Sequence, residues 1–86
     1  METVISHFIS QELVKDPALL PLTEETALVE SGILDSLSLL QLVVFLEERF
    51  GITVGDADLL PENFASVNAI CAYLRSREAG KEAAHG

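Results

Sequence analysis

The chain has 86 residues, 14 of them Asp or Glu against five Lys or Arg, and a formal charge of −9. So few cations exclude a nucleic-acid binder, because displacing counterions from a phosphate backbone needs Lys and Arg; the acidic surface instead suits fast, salt-sensitive docking on basic protein patches. A single small domain buries only roughly 60–65% of its unfolded surface, which leaves little room for an enclosed active site.

From Glu2 to about Lys15, Ile5, Phe8, Ile9 and Leu13 fall at helical spacing, which predicts a first amphipathic helix. Asp16-Pro17 ends it, since a proline disfavours helical geometry in the residue before it, and Pro21 keeps the next stretch open. A long connection runs to about Leu34. Its Leu22, Leu28, Val29, Ile33 and Leu34 are expected to lie against the core, with Gly32 supplying a turn. A loop of this length usually delivers the chain to a reactive residue, and Ser36 stands at its end.

The second helix spans Ser36 to Phe50, opened by Asp35 or Ser36 as a cap, closed by Gly51, with Leu39, Leu42, Val43, Leu46 and Phe50 as its buried stripe. After the β-branched Ile52-Thr53-Val54, Asp56 to Leu60 predicts a brief third helix before Pro61. Ser66 caps a last helix in which Val67, Ile70, Cys71 and Leu74 share a face, ending near Arg77 with basic residues at the favourable carboxyl end. Residues 79–86 are small, polar and aperiodic and are expected to be disordered. The whole reads as an all-α domain of four helices, one of them short.

The second helix is more apolar than one buried face requires, because Leu37, Leu40 and Val44 fall outside the stripe. Either this helix is central and buried on two sides, or it offers a docking surface. At its amino end, free N–H groups and the positive end of the helix dipole favour a phosphate on the Ser36 hydroxyl; the plainer alternative is that Asp35 or Ser36 is simply a helix cap.

Elsewhere the chemistry is sparse. His7 lies on the first helix and His85 in the tail, neither spaced to serve Ser36 as a base, and no Gly-x-Ser-x-Gly elbow is present, which argues against a serine hydrolase. The single cysteine, Cys71, sits on an apolar stripe as a small core residue and excludes a disulfide framework or a Cys/His metal site. With no basic-apolar leader and no apolar run near the ~20 residues of a membrane span, the expected location is the cytoplasm.

Gly32-Ile33-Leu34-Asp35-Ser36-Leu37-Ser38-Leu39-Leu40-Gln41-Leu42 and the later Leu46-Glu47-Glu48-Arg49-Phe50-Gly51-Ile52 together resemble the acyl carrier and peptidyl carrier proteins. The resemblance covers nearly the whole chain and implies a four-helix acyl-carrier-type bundle over residues 1–78, with a long first loop. It implies a non-catalytic monomer whose Ser36 receives phosphopantetheine from coenzyme A, in a Mg²⁺-dependent reaction of a separate phosphopantetheinyl transferase. Cargo would ride on the arm's thiol as a thioester.

By the same resemblance Asp35 and Leu37 flank the anchor for transferase recognition. Leu40, Gln41, Val44, Glu47 and Glu48 face partners: an adenylating or acyl-loading enzyme, a ketosynthase or a condensation enzyme, each with a basic docking patch. Ser38 and Gln41 stand where fatty-acid-type carriers usually have acids. That departure, with Pro61-Glu62-Asn63-Phe64, points to a freestanding carrier of polyketide, nonribosomal peptide or related secondary metabolism, with primary fatty acid synthesis as the alternative. A helical interaction module without a prosthetic group is the competing class.

Overall fold

A computed structural model describes the backbone of residues 2–85 and the side chains of residues 2–77. Helix α1, Glu2–Phe8, continues into a wider π-helical turn, Ile9–Leu13. Across that junction Ile5, Ile9 and Leu13 keep a four-residue spacing and all point into the core, at 0, 0 and 3% exposure. The helical segment closes at Leu13 rather than Lys15, because Val14 turns to extended backbone (φ −76°, ψ 118°). Asp16 then caps a single 3₁₀ turn, Pro17–Leu19, its carboxylate accepting from the Ala18 N–H at 2.9 Å.

The long connection lies against the core, as its apolar residues predict. Leu28, Ile33 and Leu34 are buried, whereas Val29, expected beside them, is 37% exposed. Three backbone bonds fasten the segment: the Leu28 N–H donates to the Ala65 carbonyl at 2.8 Å, the Asn68 N–H to the Glu24 carbonyl at 3.0 Å, and the Leu34 N–H to the Leu28 carbonyl at 2.9 Å. Burial of the side chains and satisfaction of the backbone thus hold the loop without regular structure. Gly32 turns it at φ +84°, a left-handed conformation that a side chain would strain.

Helix α2 covers Ser36–Phe50 as the sequence predicts and ends on Gly51 at φ +67°, whose N–H donates to the Glu47 carbonyl. It buries Leu42, Val43 and Leu46 against α1, the connection and the last helix. Helix α3, Val67–His85, begins after Ser66, whose hydroxyl accepts from the Ala69 N–H at 3.1 Å. It contributes Val67, Ile70, Cys71, Tyr73 and Leu74 to the core. Its backbone runs on past Arg77, where the sequence closes it; the expected disordered tail, 79–86, falls on residues whose side chains lie outside the described ones.

The short third helix expected over Asp56 to Leu60 is instead a 3₁₀ turn, Asp56–Asp58, followed by a second, Pro61–Asn63. Leu60 explains the break: preceding Pro61, it is pushed to extended geometry (φ −99°, ψ 139°), so no helix can propagate through it. The described residues therefore form an all-helical fold with three α-helices and no strand, not four helices. The paired turns are tied to α3 by the Tyr73 hydroxyl, which donates to Asp58 Oδ2 at 2.8 Å, and by Arg77, which lies 3.7 Å from the same carboxylate and also donates to the Thr53 carbonyl ahead of the turns at 2.6 Å.

Candidate functional site

Asp35 and Ser36 are both good caps, and the structure decides between them. Asp35 takes the capping position with extended backbone (φ −86°, ψ −173°), and its Oδ1 accepts from the Ser38 N–H at 2.8 Å. The Ser38 N–H and then the Ser38 hydroxyl hold the Asp35 carboxyl below the usual carboxylate range, with the Lys15 charge adding in the same direction. The cap is therefore an anion at neutral pH, complementing the helix dipole.

That leaves Ser36 without a structural task. It is the first residue of α2, its side chain is exposed, and its hydroxyl makes no hydrogen bond to any described residue. An oxygen so placed stands free in solvent beside the N–H groups that open the helix. A bulky phosphate ester there would displace no core side chain and would meet the positive end of the dipole. The residues present fit such a group.

Leu37, Leu40 and Val44 are 62, 56 and 52% exposed, so α2 is not buried on two sides. Gln41 and Glu48 are exposed with them. Leu40, Gln41 and Val44 line a groove of about 460 Å³ between α2 and α1, completed by Phe8, Glu12 and Leu13. Phe8 also stacks on Phe45, with ring centroids 4.1 Å apart and an interplanar angle of 10°. The part played by Phe8 and Glu12 is missed by sequence reasoning, which places Phe8 simply on the buried stripe; an aromatic at that stripe's edge was the available signal.

Glu47 differs from its neighbour. It is half-buried, and its Oε2 accepts from the Val54 N–H at 2.9 Å, so its carboxylate fixes the chain that leaves α2. Ser38, likewise, is buried at 4% exposure and forms no part of the solvent-facing surface.

His7 is exposed on α1, and His85 lies outside the residues whose side chains are described. Burial pushes the Cys71 thiol up, and the nearby Glu2 carboxylate adds to that, so the thiol stays protonated near neutrality. Among the described residues no group of three or more His, Cys, Asp or Glu could hold a metal ion, and no helix is long and apolar enough to cross a membrane.

Comparison with known proteins gives the chain's family. The family model of the phosphopantetheine attachment site matches residues 9–74. The acyl carrier protein of Thermotoga maritima is 36% identical over 73 residues, 85% of each chain. The probable acyl carrier protein PigG of a Serratia species is 33% identical over 61 residues, 71% of this chain and 70% of that one. A chain in the crystal structure of an FAD-dependent dehydrogenase superposes with a TM-score of 0.70 at 32% identity, covering 81% of this chain and 97% of that one. With a match that runs from the π turn into the first half of α3, the chain belongs to the acyl and peptidyl carrier proteins, a non-catalytic family that bears covalently attached phosphopantetheine.

Proposed function

We propose that Ser36 is the attachment point of the phosphopantetheine arm and that the chain is a freestanding carrier in secondary-metabolite biosynthesis. The observation that carries the anchor is the division of labour at the mouth of α2: Asp35 caps the helix, and the Ser36 hydroxyl is exposed and unused. When bound, the arm supplies a terminal thiol on which acyl or aminoacyl cargo is held as a thioester. The chain's own residues present that arm. Asp35 and Leu37 flank it for the transferase, and Leu40, Gln41, Val44 and Glu48 offer partners an apolar face with an acidic edge. Glu47 contributes charge there only in part, because its carboxylate already holds Val54.

The absence of acids at Ser38 and Gln41 supports the secondary-metabolite reading over primary fatty acid synthesis. Because 81% of this chain covers 97% of the chain from the FAD-dependent dehydrogenase structure, that chain is itself of carrier size. The likeness to a chain of that structure supports a flavin-dependent dehydrogenase acting on tethered cargo as one partner here. In this reading the protein works as a cytoplasmic monomer, meeting a phosphopantetheinyl transferase, an adenylating or acyl-loading enzyme, and a condensation enzyme or ketosynthase by reversible docking of its acidic surface on basic patches.

Intact-mass measurement after incubation with coenzyme A, Mg²⁺ and a broad-specificity transferase tests the anchor. A gain of one phosphopantetheine, lost in Ser36→Ala, is the expected result; no gain with several transferases would overturn it. Offering the loaded chain to an adenylating enzyme with amino acids, and separately to a malonyl-loading enzyme, then tests the pathway. Loading by the malonyl enzyme alone would favour fatty acid or polyketide cargo over aminoacyl cargo.

A further inference from the structure

We propose that Lys15 is the cation that pairs with the phosphodiester of the arm and so sets the side of α2 from which the arm leaves the protein. The inference rests on the assignment of Ser36 as the anchor. Val14, in extended geometry after the π turn, turns the chain out of the first helical segment so that Lys15 comes beside the Ser31-Gly32 turn. There Lys15 lines one cleft of about 230 Å³ with Gly32, Ser38 and two carboxylates, Asp16 and Asp35, the latter adjoining the residue that bears the arm. A Cβ placed on Gly32 would meet nothing within 4 Å, so this wall of the cleft is open.

Among the described residues Lys15 is the cation with neither an ion pair nor an aromatic contact. Among the described residues, Arg75 is paired with Glu2 at 2.7 Å, Arg77 bonds the Thr53 carbonyl and lies 3.7 Å from Asp58, and Arg49 sits over the Phe50 ring at 5.8 Å. No carboxylate of a described residue stands within ion-pair distance of Lys15. Its charge nevertheless reaches Asp35.

Attaching the arm puts a second anion on the residue next to the Asp35 carboxylate, in a chain already at −9. Two neighbouring anions at one helix mouth repel, and the dipole offsets only part of that. An ammonium on a flexible four-carbon stem, with three rotatable donors and free to swing across an open cleft, is suited to meet a phosphate oxygen. The pair is exposed, so it is weak and sensitive to salt.

The test uses the full chain, first without the arm and then loaded on Ser36 by a transferase, with loading checked by intact mass. Reductive methylation of Lys15, followed by peptide mass spectrometry at low salt, should slow about two- to fivefold on loading, the size of an exposed ion pair. The slowing should vanish in concentrated NaCl. In the loaded chain the phosphorus resonance of the arm should move in Lys15→Gln and stay near its original position in Lys15→Arg. A nitroxide on the arm's thiol, which labels selectively because Cys71 is buried and protonated, should tumble faster in Lys15→Gln. An equal methylation rate with and without the arm, or a phosphorus signal indifferent to Lys15→Gln, overturns the inference. A chain that gains no arm sinks the carrier reading; a loaded chain with an indifferent Lys15 sinks the pairing alone.

Discussion

Helix α2 carries two apolar faces built from the same kinds of residue in opposite surroundings. Leu42, Val43 and Leu46 are at most 8% exposed, whereas Leu37, Leu40 and Val44 are all more than half exposed. Covering an aliphatic side chain is worth roughly 1.5–3 kcal/mol, so the fold leaves substantial burial unrealised on the second face. Single exposed leucines are ordinary, but Leu37, Leu40 and Val44 lie three and four residues apart and therefore side by side, next to the proposed anchor. Periodicity tells which residues share a face; only packing tells which face is covered.

The largest effect expected from breaking that contrast is on the covered face. Leu46→Ala removes a fully buried side chain and should destabilise the fold by about 2–5 kcal/mol, read as a lower midpoint in urea denaturation. A loss below about 1 kcal/mol would mean that α2 is not seated as described. In so small a domain the expected loss is a large share of total stability.

The covered side also has its own titrating reporter. Burial, then the bond to Asp58, pushes the Tyr73 phenol up to about 12 from its ordinary value of 10. The fold thus favours the protonated phenol, so this contribution to stability is complete below pH 10 and is lost as the pH climbs through 10 toward 12. Tyr73 is the chain's only tyrosine, so absorbance near 295 nm follows it without ambiguity. The native titration should lie above that in urea, and Asp58→Asn should bring the two closer; coincident curves would remove the contact.

At the carboxyl end of α2, Glu47 and Glu48 divide in the same way as the two apolar faces. Glu47→Ala deprives the Val54 N–H of its acceptor and should cost about 1 kcal/mol, while Glu48→Ala, on an exposed residue, should stay within about 0.5 kcal/mol. Equal urea midpoints for the two variants would show that the Glu47 bond contributes nothing.

The contrast also marks what the sequence could disclose. The span of α2 is legible because three local signals coincide: two adjacent residues able to cap, Asp35 and Ser36, helical periodicity, and a terminal glycine that takes φ +67°. The segment over Asp56 to Leu60 was not, because five residues are too few for periodicity to separate an α-helix from a 3₁₀ turn, and the extended Leu60 before Pro61 decided the matter. Ser36 could be picked out from its surroundings, but which of Asp35 and Ser36 caps the helix could not, since both side chains can accept from the same N–H groups. The bonds from Glu47 to Val54 and from Tyr73 to Asp58 join residues that no local pattern links. Lys15 and Asp35 share a cleft only because the chain turns after Leu13.

The smallest effect on stability, and the sharpest test of the contrast, belongs to the uncovered face. Leu37→Ser, Leu40→Ser and Val44→Ser should each leave the urea midpoint within the equivalent of about 0.5 kcal/mol, because none of the three side chains is packed in the core. If that face is a docking surface, the same changes weaken encounters. Leu37→Ser should then lower kcat/KM for a broad-specificity transferase, chiefly through KM, since the Ser36 hydroxyl itself is untouched. Leu40→Ser and Val44→Ser should spare that reaction more and slow cargo loading by the acyl-loading partner instead. A face that is merely unburied would leave all of these rates at the wild-type value, and a face that completes the fold in solution would lower the midpoint by several times the expected amount. Only a docking surface separates the two measurements, keeping the midpoint while the rates fall.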